Sequence, residues 1–309
     1  MTAPIVQRLR ETAASLTEER VSMQTLAHAH GTAAHGTLLL LMAGPCLLPV
    51  PGVGTVLGFG DEVTGFKIGD RVTAILDYGG YAQHAVADDI QTYVIPDSMG
   101  FDDAAAFPTT YGTVYRALVD RGRLAAGETL LVLGAAGGVG LNAVELGHLL
   151  GANVIAAAGT DAKLALAKSY GAAHTINYTN ESIRDRVREI TGGKGANVVF
   201  DPVGGDAFDE SLRCMAREGR LLVIGFASGR IPSAPAHRGL ISESEVIGVL
   251  YGGRRQPAVA RANSRRAGRL HLKGGHKRFG RRPFQRPQGF ALASPSGLLT
   301  VSARLQRHL

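Results

Sequence analysis

Between Glu128 and Tyr251 the chain alternates short runs that are apolar throughout with longer stretches that carry a single apolar face. TLLVLG, NVIAAAG, HTINY, ANVVFDPVGG, GRLLVIGF and SEVIGVLYG read as strands. VGLNAVELGHLLG, DAKLALAKSYGA, ESIRDRVREITGG and AFDESLRCMAREG read as the helices between them, with Gly171 as one C-terminal stop. Strands apolar on both sides must be covered on both faces, which is the condition of a parallel sheet. Crossovers between parallel strands are right-handed, so the pattern predicts an α/β fold with a Rossmann-type doubly wound parallel sheet.

The preceding stretch has a different period. From Pro51, VGTVLGFGDEVTGFKIGDRVTAI and YAQHAVADDIQTYVIPD alternate apolar and polar residues between Gly and Asp turns, as short antiparallel strands do. FDDAAAFPTTYGTVYRALVDRGRL then reads as a helical connector into the α/β half. The two ends follow neither pattern. Met1 to about Gly44 opens on an amphipathic helical period and loses it in HAHGTAAHGTLLLLMAGPC. The tail from Gly252 holds 14 of the chain's 33 Lys and Arg residues and none of its 26 Asp and Glu. The formal charge of +7 therefore belongs to the tail, and the body before it is net acidic.

These numbers exclude some classes of function. A basic run binds phosphate on charge alone, but this one has few interleaved aromatics beyond Phe279, Phe284 and Phe290. Nucleic acid is therefore not the expected partner. Cys46 and Cys214 lie far apart with no CxxC, which excludes a disulfide framework and points to the cytoplasm. The longest apolar stretch, Thr37 to Val53, is broken by Gly44, Pro45, Pro49 and Pro51 and is too short to span a membrane.

At the first parallel strand the sequence runs LLVLGAAGGVG, four apolar residues ending in a cluster of small ones where a helix begins. In the spacing of the dinucleotide fingerprint, Ala135, Gly137 and Gly140 hold the three small-residue positions. Their tasks are the tight turn, close approach of backbone to a pyrophosphate, and packing of helix on strand. Gly134, Gly138 and Val139 complete the loop, whose free amides and helix dipole bind a diphosphate without a basic side chain. The tip of the second strand selects the nucleotide. An acid there would accept from a ribose 2′-hydroxyl, but the strand ends Ala156-Ala157-Ala158-Gly159-Thr160. Asp161 comes late and is expected as a helix N-cap. Thr160, Lys163 and Tyr178 offer a hydroxyl, an ammonium and a phenol to a 2′-phosphate, which favours NADPH.

PTTYGTVYRAL, GETLLVLGAAGGVG, KLALAKSYGA, VVFDPVGG and GRLLVIGFASG together resemble the zinc-free quinone oxidoreductase branch of the medium-chain dehydrogenase/reductase superfamily. VTGFKIGDRV resembles that family's GroES-like β domain, and the resemblance covers about Pro51 to Tyr251. It implies an NADPH-dependent enzyme acting on a quinone, enone or similar conjugated carbonyl. It also implies cofactor contacts at Thr113, Val203, Gly204, Ile224, Gly225 and Phe226, and a homodimer through the sheet edge at Ser244 to Tyr251. No metal is expected. Zinc members need a Cys/His/acid set, whereas His28, His30 and His35 lie in the unmatched head and His84 stands alone. Cys214 is expected to pack in a helix, and Tyr81 and Tyr111 to be pocket or packing residues; no residue is assigned a catalytic role.

The resemblance divides the chain into an atypical head at 1–44, a partial GroES-like β domain at 45–106, a Rossmann NADPH-binding domain at 107–251 and a basic, poorly ordered tail at 252–309. The head shows none of the family's opening β-rich stretch, and the tail none of its closing helix and strand. An Arg-, Gly- and Pro-rich run without acids is what an out-of-frame reading of GC-rich coding sequence produces. Two readings follow: a working reductase with unusual ends, or a catalytically impaired cofactor-binding remnant whose ends are frame-altered.

Overall fold

A computed structural model describes residues 37–42, 51–61, 63–76 and 84–251. Its first sheet is antiparallel, built from β1 (Thr37–Met42), β2 (Pro51–Phe59), β3 (Arg71–Ile75), β4 (His84–Asp88) and β5 (Thr92–Val94) in the order β4-β1-β2-β3-β5. Alternation along β2 and β3 turns Val56, Val72 and Ala74 inward, where they meet Val63, Leu76 and Ala87 in one core. The head departs from expectation at β1. TLLLLM pairs with both β2 and β4, so at least one strand of the sheet comes from the segment that read as lacking β structure. An apolar run outside any repeating strand–helix alternation cannot be told from a buried helical segment by its period alone, which hides this strand from a pattern reading. The remainder of the head, the tail from residue 252 and Tyr81 lie outside the described residues.

Helix α1 (Phe101–Tyr115) carries the chain out of this sheet and continues as one π-helical turn, Arg116–Arg121. It packs on β2 and β3 and also on the first helix of the second sheet, so it joins the two. The boundary expected between residues 106 and 107 falls inside it. The Arg71 guanidinium fixes its entry, donating to the carbonyls of Pro96, Asp97 and Met99 and lying 4.4 Å over the Phe101 ring. Tyr111 is buried, stacks on Phe107 at 4.6 Å and donates its hydroxyl to Glu145. Burial first, then that carboxylate, pushes its pKa above the ordinary tyrosine range, so Tyr111 packs and stays protonated.

The second sheet is parallel and six-stranded. Along the chain come β6 (Thr129–Leu133), α2 (Gly138–Leu149), β7 (Asn153–Ala158), α3 (Asp161–Ser169), β8 (His174–Asn177) and α4 (Ile183–Ile190). β9 (Ala196–Asp201), α5 (Gly205–Ser211), β10 (Met215–Val223), α6 (Ala236–Ser242) and β11 (Glu245–Gly248) follow. The order β11-β10-β9-β6-β7-β8 reverses direction between β6 and β9, the doubly wound arrangement expected. Leu131, Leu133, Ile155, Val199 and Leu221 form its core with Phe208 and Val187 from the helices.

The structure departs from three local readings of the sequence. The helix read through AFDESLRCMAREG stops at Ser211, and Met215 onward is already strand, with a register shift before Arg220 and Glu218 at φ +58°. Cys214 therefore sits between α5 and β10 rather than in a helix. It is 1% exposed, and burial pushes its thiol up to about 12, so it is inert at neutral pH. The third concerns α3. Its N-cap is Thr160, whose hydroxyl oxygen accepts the Lys163 amide at 3.4 Å, while Asp161 lies in the first turn and accepts from Asn177 Nδ2 at 2.7 Å.

Candidate functional site

The strand–turn–helix after β6 is built around missing side chains. Gly134 turns the chain at φ +58°, so the residue whose backbone requires glycine in the tight turn is Gly134, not Ala135. Ala135 is buried and ties the turn to the next strand, donating its amide to the Ala157 carbonyl at 3.0 Å. A β-carbon on Gly140 would lie 2.2 Å from the Gly134 carbonyl oxygen, so helix and turn meet closely only because that side chain is absent. One on Gly138 would meet nothing within 4 Å and would stand in open space. Helices leave their first amides without intrahelical acceptors, and in α2 those belong to Gly138, Val139 and Gly140.

That space is a cavity of about 790 Å³ lying outside the carboxyl ends of four parallel strands. Gly134, Ala136, Gly137 and the start of α2 line it after β6, and Ala158 at the end of β7. Pro202 and Val203 line it after β9; Ile224, Gly225, Ala227 and Ser228 do so after β10. Thr113 reaches it from α1, its hydroxyl donating to the Thr109 carbonyl at 2.5 Å. Lys163 and Tyr178 close the end beyond β7, where the Tyr178 ring lies over Gly159. No carboxylate is among the described lining residues, and Lys163 contributes a positive charge. An anion with an extended polar body suits such a place better than a cation.

Of the residues picked from sequence, Thr113, Gly134, Gly137, Gly138, Val139, Gly140, Lys163, Tyr178, Val203, Ile224 and Gly225 come together on this cavity. Ala135, Thr160, Gly204 and Phe226 do not line it. Ala135 is buried beneath the loop, Thr160 caps α3, and the Phe226 ring packs over Gly204. Pro202, Ala227 and Ser228 lie in VVFDPVGG and GRLLVIGFASG but were not picked as site residues; their position after a parallel strand was the usable signal. Asp201, fully buried at the end of β9, was also missed. Burial raises its carboxyl above the usual range, opposed by the Gly204 and Val203 amides it accepts. Among the described residues no group of three or more His, Cys, Asp or Glu could hold a metal ion.

Comparison with known proteins adds ancestry to this geometry. Residues 138–264 match the family described as zinc-binding dehydrogenase. The "Quinone oxidoreductase-like protein 2" of Bos taurus is 42% identical over 204 residues, 66% of this chain and 58% of that protein. The quinone oxidoreductase structure from Pseudomonas syringae pv. Tomato DC3000 superposes with a TM-score of 0.72 at 29% identity, covering 81% of this chain and 84% of that one. The chain belongs to the quinone oxidoreductase branch of the medium-chain dehydrogenase/reductase superfamily. A further member, the Escherichia coli quinone oxidoreductase complexed with NADPH, has a TM-score of 0.67 at 27% identity and covers 77% and 79% of the two chains. The chain matches less than two thirds of the curated relative's length. Residues 5–66 match a different family, exopolysaccharide synthesis ExoD.

Proposed function

We propose that this chain is an NADPH-dependent oxidoreductase whose substrate is a quinone, enone or similar conjugated carbonyl, reduced without a metal. The observation that carries the reading is the cavity at the switch point of the parallel sheet, floored by glycine backbone and flanked by Lys163 and Tyr178. The α2 amides and loop would hold the diphosphate, and Lys163 and Tyr178 the 2′-phosphate. Val203, Ile224 and Gly225 would carry the nicotinamide end, with Thr113 beside it. NADPH bound there supplies a hydride, and a conjugated acceptor spreads the arriving charge without a metal ion. The chain's own part is to orient that donor and exclude water around it. A homodimer through β11, the edge strand of the parallel sheet, belongs to the same reading.

The match of residues 5–66 to a different family favours a second reading, in which nucleotide binds but turnover is weak. One set of titrations and assays tests both. NADPH is expected to bind about tenfold tighter than NADH, roughly 1.4 kcal/mol, and Lys163→Ala to erase most of the difference. Equal affinities in the parent chain would refute the 2′-phosphate assignment. NADPH oxidation with a quinone panel, unchanged by a strong chelator, supports the enzyme; binding without oxidation supports the remnant.

A further inference from the structure

One buried residue holds both loops of a cavity wall. Asp201 ends β9, between β6 and β10, and is 0% exposed. Its carbonyl oxygen accepts the amides of Ile224 at 2.9 Å and Gly225 at 3.4 Å. Its Oδ1 accepts the amides of Val203 at 2.7 Å and Gly204 at 2.8 Å, while Oδ2 is buried with no partner among the described residues. The loops then close on each other, Ala227 donating to the Pro202 carbonyl at 3.1 Å and Ser228 to that of Val203 at 2.9 Å.

The turn would not hold this path by itself. Gly204 and Gly205 have φ of +70° and +61°, and glycine has no strong local preference for such a conformation. Amide bonds to a carboxylate are about twice as strong as neutral ones, so the two on Oδ1 are the main constraint on the turn. A Val203 methyl lies 3.0 Å from where a β-carbon on Gly134 would stand, so the turn also abuts the phosphate loop. We propose that Asp201 is a positioning residue, whose carboxylate fixes the Val203–Gly204 turn as the seat of the cofactor's nicotinamide half. The proposal rests on reading the cavity as an NADPH site. Asp201 acts through the turn and does not itself line the cavity.

The test compares two ligands on the full chain: NADPH, and adenosine 2′,5′-bisphosphate, which carries the adenine end and no nicotinamide. Asp201→Ala is expected to weaken NADPH by about tenfold and leave the fragment within about twofold of the parent. Asp201→Asn keeps an acceptor for both amides and is expected to restore NADPH binding to within about threefold. Should the alanine variant not accumulate folded, Asp201→Ser, which accepts more weakly, carries the test with a selective NADPH loss of about threefold or more. Equal losses for both ligands, or no loss for either, overturn the positioning role. A parent chain that binds neither ligand refutes the cavity reading, and this assignment falls with it.

Discussion

Gly140 shows how little room the phosphate loop leaves. The β-carbon of an alanine there would stand 2.2 Å from a backbone carbonyl oxygen, and backbone, unlike a flexible side-chain end, cannot simply swing away. Gly140→Ala is expected to push the start of α2 off the Gly134 turn, at about 1–3 kcal/mol of stability. The amides of Gly138 and Val139 would move with it, so NADPH titration should show a loss of about tenfold or more, while wild-type affinity in a folded variant would show that the contact is not needed. This glycine was legible in the sequence because its spacing belongs to a motif with a physical task. Asp201 and Ser228 were not, since their positions depend on hydrogen bonds between loops more than 20 residues apart in sequence. The N-cap of α3 was misread by one residue because Thr and Asp are both good caps, and the choice between Thr160 and Asp161 rests on Asn177 arriving from β8 to take the carboxylate.

At the scale of elements, the parallel half was readable because uniformly apolar runs leave few alternatives, whereas CMAREG was not, having charges enough for a helix and a bulge that breaks the strand period. The residue that anchors this bulged strand is Arg220, 8% exposed on β10. Its guanidinium pairs in two places with Glu128 at 2.8 Å each and also donates to the carbonyls of Gly122 and Arg123. One side chain thus ties β10 to the start of β6 and to the end of the π-helical connector. Arg220→Ala is expected to cost about 3 kcal/mol in chemical denaturation, since it removes the partner of a partly buried carboxylate and the donor to the carbonyls of Gly122, Arg123 and Asn197. Burial works against ionising Glu128, but the Arg220 hydrogen bonds and the Ala125 amide outweigh it and hold the carboxyl below its ordinary value of 4.5. A depressed folded pKa adds stability that is present above the ordinary value and lost as pH falls through the folded one. Glu128→Gln should therefore flatten the dependence of stability on pH below about 4.5, and a curve unchanged from the parent would place that dependence in other carboxylates.

On the scale of the whole molecule, the parallel sheet ends in two strands whose outer edges have no strand partner among the described residues, and they differ. β8 is flanked by polar bonds, Asn177 reaching Asp161 and its own amide reaching Glu181. β11 has three of its four residues exposed, Val246 at 44%; Leu250 just after it is 65% exposed, and Leu240 and Ile241 on the preceding α6 are 81% and 79% exposed. An open edge carrying exposed apolar side chains templates strand addition, and a second copy related by a two-fold axis pairs such an edge with itself. The chain is accordingly expected to have about twice its 32.4 kDa mass by light scattering at micromolar concentration. Val246→Asp places a charge on that edge away from the nucleotide cavity, so it should shift the mass towards the monomer while NADPH affinity stays within about twofold. A parent chain that is monomeric throughout, or a variant whose mass does not change, would remove β11 as the dimer interface.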